Sequence, residues 1–388
     1  MSTHILPTYA RADITFVSGD GATLTASNGD RYLDFGAGIA VNALGHSHPA
    51  LVAAIQAQAG QLMHVSNLYK IEGQERLALR LCEQTFADQV FFANSGAEAN
   101  ECAVKMARRY QAAEGRSEAY RIITFSGAFH GRTLAMIAAG GQDKHLEGFG
   151  PKVDGFDQVP LGDLEALKEM IGPQTAGIMI EPIQGESGIN PTEGSFLHGL
   201  RALADEHDLV LIFDEVQTGV GRTGHFYAYQ MFGVEPDILT SAKGLGGGFP
   251  VGACLANQRV AEPMIAGTHG STFGGNPLAM AAGNAVLDVV LAPKFLEGVR
   301  ETGLLLKQQL ASVIDAHPHV FELVRGEGLL LGLKMKVSPA DFVAACFEEK
   351  LLVVPAGGEV VRLLPPLVLG RDDLAMAVEA IERAAKRF

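Results

Sequence analysis

Two carboxylates stand where one apolar run ends, and a lysine stands where a later one ends. In LIFDEVQTGVGRTG (residues 211–224) Asp214 and Glu215 close a strongly hydrophobic stretch. In PDILTSAKGLGGGFPVG, Lys243 follows a second such stretch and opens a glycine cluster. A carboxylate beside an apolar run is costly to bury unless it meets a cation or strong donors. One use that keeps it there is to hold a proton on a ring nitrogen. A lysine desolvated in a cleft has a lowered pKa, and its free amine can condense with a carbonyl. The structural alternative is that Asp214 caps the next element or pairs with Arg222, and that Lys243 lies on the surface. Glu215 would point away from Asp214 in an extended backbone.

Other candidates follow other apolar runs. FFANSGAEANECAVKMARR reads as strand, short turn and helix, with Ser95, Gly96 and Ala97 at the helix start. Small residues there expose N–H groups, and the helix end favours an anion. Glu98 and Glu101 serve equally well as caps. ITFSGAFHGRT supplies Phe129 as an aromatic face for a flat ring and Arg132 as a bidentate carboxylate partner, with His130 as a hydrogen-bonded structural residue. IMIEPIQGESG carries Glu181 and Glu186, and STFGGNP offers Ser271 and Thr272 as phosphate donors or as a simple turn. GLGGG lacks the order of a mononucleotide phosphate loop, and no GxGxxG dinucleotide fingerprint occurs. No histidine or cysteine spacing is that of a metal site.

These residues need a rigid frame. From about residue 74 short continuous apolar runs alternate with amphipathic helices, the pattern of a mostly parallel sheet covered on both faces. ATLTASNGDRYLDF reads as a hairpin turning at Asn28-Gly29-Asp30, and HPALVAAIQAQAGQL as a helix with Pro49 near its start. The tail mixes helices with the short strands FELVRGEGLLLGLKM, LLVVPAG and VVRLLPP, an α+β pattern. A chain of 388 residues is long enough for two domains. The formal charge of −14 argues against nucleic acid and against an anionic membrane as partner. The four cysteines are widely spaced, and no run approaches the ~20 apolar residues of a membrane span. A reducing, cytoplasmic setting is the expectation.

Taken together, NSGAEANE, FHGRT, EPIQGE, LIFDEVQTGVGRTG, SAKGLGGGFPVG and STFGGNP, in this order, resemble the class III aminotransferases that use pyridoxal phosphate. The resemblance runs from YLDFGAGIAVNALGHSHP to VRLLPP, nearly the whole chain. It implies an α/β protein of fold type I. A large cofactor-binding domain with a mostly parallel sheet would cover residues 61–280, and a smaller α+β domain would be built from residues 1–60 and 281–388.

The resemblance also implies roles. Lys243 would bond the cofactor and shuttle a proton, and Asp214 would pair with the pyridine nitrogen. Gln217 would lie on the phenolic-oxygen side and Phe129 would stack on the ring. Ser95, Gly96 and Ala97 would cradle the phosphate, joined by Thr272 of a partner in a homodimer with shared sites. Arg132 and Ser271 would bind substrate, Arg132 through the alpha-carboxylate of N-acetylornithine. Arg362 would take that of glutamate or 2-oxoglutarate, alternating with Glu186, and Glu181 would be a supporting acid. GIAVNALGH (residues 38–46) favours N-acetylornithine over ornithine, succinylornithine, succinyldiaminopimelate or 4-aminobutyrate as amine donor. Ser187 replaces the Gly or Ala that often follows the GE of EPIQGE. A nucleotide-binding α/β protein is the rival of another class, and in it Lys243 would be dispensable.

Overall fold

The computed structural model describes residues 4–388. Its centre is a seven-stranded sheet in the spatial order Gln89–Ala93, Gly252–Ala256, Ile238–Ser241, Val210–Asp214, Thr175–Ile180, Arg121–Phe125 and Phe156–Val159. The continuous apolar runs become its inner strands, and Thr175–Ile180, Val210–Asp214, Ile238–Ser241 and Gly252–Ala256 are buried along their whole length. Such strands carry no alternation because helices cover both faces. One large core and one smaller core flank the sheet. Gly252–Ala256 runs antiparallel to both neighbours, so the sheet is mostly rather than wholly parallel.

Register decides where the chemistry sits. Asp214 lies opposite Thr240, Phe213 opposite Ile180, and Ala93 opposite Gly252. The carboxyl ends of the parallel strands therefore share one edge. The antiparallel strand enters the sheet at that same edge. Ligands bind at this edge of open α/β sheets.

A separate core gathers Ala22, Leu33, Phe35 and Ala43 with residues drawn from 299–385. Its strands are Phe321–Glu327, Leu330–Met335, Val354–Ala356 and Val360–Leu363, all antiparallel neighbours. The expected hairpin is present, with Thr23–Ala26 paired to Arg31–Asp34. Leu351 then pairs parallel with Leu33, joining the two ends of the chain. Leu44, Leu51 and residues of helix Pro277–Val290 on both sides of 280 pack in the large core.

Several elements were not anticipated, among them the edge strand Phe156–Val159, two further helices and the strand Phe16–Asp20. Leu134–Gly140 is short and nearly all apolar, with no polar face to give a helical period. Pro339–Glu348 did carry a start signal, since Ser338 caps it and Pro339 opens it. Phe16–Asp20 is largely solvent-facing, so it lacks a hydrophobic signature.

Gly252 holds the sheet against the loop that follows Gln89–Ala93. A Cβ at Gly252 would lie 2.4 Å from the Ser95 carbonyl oxygen. Gly252→Ala is expected to lower stability by ~1–3 kcal/mol through overpacking, read as a reduced Tm or denaturant midpoint. An unchanged midpoint would contradict this close approach.

Candidate active site

Every strand of the sheet except Phe156–Val159 delivers residues from the shared edge to one cavity of about 320 Å³. Asn94, Ser95, Gly96 and Ala97 come from one strand–helix turn, and Phe129, His130 and Gly131 from the next. Glu181 and Glu186, Asp214 with Gln217, and Lys243 with Phe249 also line it, as does Asn100.

Asp214 is buried, and its carboxylate is well supplied with donors. His130 Nδ1 is 2.7 Å and Asn100 Nδ2 2.8 Å from Oδ2, and the Val216 N–H donates to Oδ1 at 3.0 Å. Asn100 is itself fixed. It donates to the His130 carbonyl at 2.7 Å and accepts from Thr240 Oγ1 at 2.6 Å. Thr240 is the cross-strand neighbour of Asp214, so strand register positions Asn100 as well. Burial alone would disfavour the His130 imidazolium, but the Asp214 carboxylate outweighs it and raises its pKa. The His130 ring thus belongs to the anchoring of Asp214.

The structural alternatives for Asp214 are met only in part. It caps its own turn through Val216, but Arg222 is elsewhere, donating to the Leu329 carbonyl at 3.0 Å and to that of Pro365. Glu215 faces away, as alternation requires. It accepts from the Tyr229 N–H at 2.8 Å and Thr218 Oγ1 at 2.8 Å, and ties down the following segment.

Lys243 shares the cavity with Asp214. Its backbone has φ of 46°, a left-handed conformation that a side-chain-bearing residue holds only under constraint. Desolvation pushes its pKa down to about 8, and the Arg362 charge adds to this against the pull of Asp214, Glu181 and Glu186. Glu181 moves the other way. Burial, and the Asp214 charge after it, push it up to about 7, although His130 and the N–H groups of Phe129 and Gly185 oppose the shift. Those N–H groups donate at 2.8 and 3.2 Å, so Glu181 binds the loop bearing Phe129 to the loop bearing Glu186.

At the opposite wall, helix Gly96–Ala113 begins. Ser95 caps it by accepting from the Glu98 N–H at 3.2 Å, and Glu98 takes the Asn94 N–H at 2.7 Å. Glu98 is therefore a cap. Thr133 Oγ1 donates to Glu101 at 2.6 Å. The N–H groups of Gly96 and Ala97 find no acceptor among the described residues. They project from the N-terminus of an 18-residue helix, where such groups favour an anion.

The remaining candidates lie around this centre. Arg362 is buried, with Nη2 3.1 Å from Glu186 Oε2, and its Nε has no partner among the described residues. Glu186 lines the cavity and Arg362 stands behind it. Arg132 is exposed, packs over the Phe129 ring at 5.5 Å, and forms no ion pair among the described residues. Ser271 accepts from the Gly274 N–H at 2.9 Å, the turn geometry foreseen as its alternative, and from Asn94 at 3.3 Å. Thr272 is exposed and lines no part of this chain's cavity. Sequence reasoning missed Asn100 and Thr240. Asn100 stood four residues after Gly96, one turn along the same helix, where it could reach the cavity.

Pyridoxal phosphate fits these residues. Two unpaired helix-start N–H groups await a phosphate, and an aromatic face flanks the cavity. Gln217 Oε1 is buried without a partner among the described residues. A desolvated amine and an anchored carboxylate over a helix N-terminus define an enzyme of amine–carbonyl chemistry. Comparison with known proteins narrows this. The aminotransferase class-III family model matches residues 7–385. The acetylornithine aminotransferase of Agrobacterium fabrum is 61% identical over 381 residues, covering 98% of this chain and 96% of that one. That of Rhodobacter capsulatus is 54% identical over 385 residues, covering 99% and 98%. Among solved structures, the N-acetylornithine aminotransferase of Stenotrophomonas maltophilia has a TM-score of 0.86 at 35% identity, covering 98% and 97%. The ornithine aminotransferase of Toxoplasma gondii has 0.95 at 31%, covering 99% and 93%. The chain belongs to the class III aminotransferases.

A lysine at about pH 8 titrates well below the ordinary 10.5. The free amine is the deprotonated form, so Lys243 of the cofactor-free chain should become reactive as pH rises through about 8. Peptide-mapped modification by trinitrobenzenesulfonate should show this midpoint. A midpoint shared with the surface lysines would contradict the desolvated setting.

Proposed function

We propose that the chain transfers the distal amino group of N2-acetyl-L-ornithine to 2-oxoglutarate, giving N-acetylglutamate 5-semialdehyde and L-glutamate, a step of arginine biosynthesis. The observation that carries the chemistry is the placement of Lys243 and the anchored Asp214 in one cavity. The substrate assignment draws on whole-length identity to acetylornithine aminotransferases.

Pyridoxal phosphate, when bound, supplies an electron sink for the carbon that loses its proton. This chain's residues do the rest. Asp214 keeps a proton on the ring nitrogen, which sustains that sink. Gly96 and Ala97, with Ser95, hold the phosphate. Phe129 covers one ring face, and Gln217 meets the phenolic-oxygen side. Lys243 is the covalent anchor. With the cofactor bound, the freed Lys243 amine would act as the base for the proton on the amine-bearing carbon. A pKa near 8 leaves a useful fraction of free base close to neutrality.

Two substrates must use one site in turn. Arg132, unpaired at the rim beside Phe129, suits the alpha-carboxylate of N-acetylornithine. Arg362 suits that of glutamate or 2-oxoglutarate. In the amine half-reaction Glu186 neutralises Arg362, as in the 3.1 Å pair, because a lone buried guanidinium is costly. In the keto-acid half-reaction Glu186 turns aside. Glu181 holds the backbone on which Glu186 turns.

A second copy of the chain completes this reading. Thr272 is exposed beside Phe273, and Asn67 ties its segment to residues 62–69 by donating to the Ser271 and Gly274 carbonyls at 3.0 and 2.9 Å. Leu62, Met63, Leu68, Tyr69 and Phe273 are exposed there, an apolar face suited to self-association. In such a homodimer Thr272 would reach the partner's phosphate. Four free cysteines suit a cytoplasmic setting.

The test is an amine-donor panel with 2-oxoglutarate, read as glutamate formed. N-acetylornithine should have the highest kcat/KM. A higher value for ornithine, succinylornithine, succinyldiaminopimelate or 4-aminobutyrate would overturn the substrate and keep the class. Arg362→Ala should raise the KM for 2-oxoglutarate about tenfold or more, since a lost charge-assisted bond is worth at least ~1.4 kcal/mol. Its rate of reaction with N-acetylornithine should change far less. Equal loss in both half-reactions would contradict the alternating role.

A further inference from the structure

Cys102 and Cys254 lie outside the cavity of Lys243. Cys102 is on helix Gly96–Ala113 and Cys254 on strand Gly252–Ala256, and both are buried. Helix and strand pack together so that the two thiols adjoin each other and Cys102 adjoins His269. All three line a separate cavity of about 250 Å³ with Phe91 and Met106. Lys105 Nζ is 2.8 Å from His269 Nδ1. The ammonium can only donate, so Nδ1 accepts and the ring proton resides on Nε2, free for sulfur. The Phe91 ring packs on the imidazole at 4.6 Å and holds its plane.

The four cysteines then differ in kind. Burial raises Cys82 and pushes Cys346 up to about 12, so both remain thiols. The hydrogen bond from Cys254, followed by His269 and the Lys105 charge, brings Cys102 down to about 6 against the cost of burial, and Cys254 moves up. The surroundings thus favour loss of the proton from Cys102 and its retention on Cys254, which is the division of labour that thiol oxidation needs. Metal binding is not a competing use, because among the described residues no three histidines, cysteines or carboxylates form a metal group.

The pair is close to the catalytic centre along the chain. Cys102 is two residues beyond Asn100, whose amide holds Asp214 at 2.8 Å. Cys254 is two residues beyond Gly252, which abuts Ser95.

We propose that Cys102 and Cys254 are a peroxide-oxidised thiol pair, and that their closure to a disulfide weakens the Asp214 anchor through Asn100 and Ser95. The co-reactant is hydrogen peroxide, small enough for the cavity. The Cys102 thiolate attacks one peroxide oxygen, the O–O bond breaks, and hydroxide leaves to become water. Cys102 is then a sulfenic acid. Cys254 attacks its sulfur, the S–S bond forms, the S–O bond breaks, and the Cys254 proton leaves in a second water. Two thiols lose two electrons and two protons, and one peroxide is reduced to two waters. The site does not depend on which amine donor the enzyme takes.

The test treats the full-length holoenzyme with hydrogen peroxide and maps peptides without reductant. A cross-linked peptide joining Cys102 to Cys254 should appear while Cys82 and Cys346 stay reduced. Amino-transfer activity should fall in step and return with dithiothreitol. Cys254→Ala should instead accumulate Cys102 sulfenic acid, trapped by dimedone, and His269→Gln should slow oxidation about tenfold. Oxidation of Cys82 first, retention of both buried thiols, or passage of Cys102 straight to sulfinic acid in the unaltered chain would overturn the pair. A complete cross-link with unchanged activity would overturn its route to Asp214.

Discussion

A negative charge at the end of a buried strand is the constraint on which the site depends. The Asp214 carboxylate ends a strand that is buried throughout. Left alone there it would take up a proton or unfold its surroundings. His130, Asn100 and the Val216 N–H meet it instead, and each comes from a different constraint of the fold. The Val216 donor is local. Asn100 arrives on the helix that also supplies the anion site, and Thr240 of the adjacent strand fixes it. His130 comes from the loop that carries Phe129. Aligning the carboxylate therefore also aligns the phosphate cup and the aromatic wall.

The same low-polarity setting separates the acids and bases. Desolvation drives Lys243 down and Glu181 and Glu215 up towards neutrality. Their partners give them different tasks. Glu215 is fully engaged with the Ala228 and Tyr229 N–H groups and Thr218, so it stabilises a turn. Glu181 lines the cavity and steadies two of its loops. Lys243 has room to move. Arg362, a buried cation with one unpartnered nitrogen, is balanced by a single half-exposed carboxylate on Glu186. That asymmetry suits a pair that opens and closes in alternate half-reactions.

The strand ends were legible because a parallel sheet writes its inner strands as short apolar runs and sets polar residues just past them. Asp214, Lys243, Gln217, Phe129 and Glu186 all stood at such places. Asn100 and Thr240 were not legible, since a helical Asn and a strand Thr acquire meaning only once register puts them side by side. His130 was taken as structural, and its hydrogen bonds are structural in form, but the group they hold is Asp214. Arg132 and Thr272 matched a motif and yet line no wall of this chain's cavity. A single chain's sequence does not reveal which surface residues a second copy would use. Cys102 and Cys254, widely spaced in the sequence, formed no pattern there and come together only when helix and strand pack.

The most direct measurement compares the chain with Asp214→Asn, each reconstituted with pyridoxal phosphate, by visible absorption during single turnover with N-acetylornithine. Asparagine keeps the shape and loses the charge. The variant is expected to bond the cofactor through Lys243 and to bleach at least ~10²-fold more slowly, the scale expected when a preorganised charge is removed. Bleaching at the rate of the unaltered chain would contradict the role given to Asp214 and, with it, the reason this fold keeps a carboxylate at the end of a buried strand.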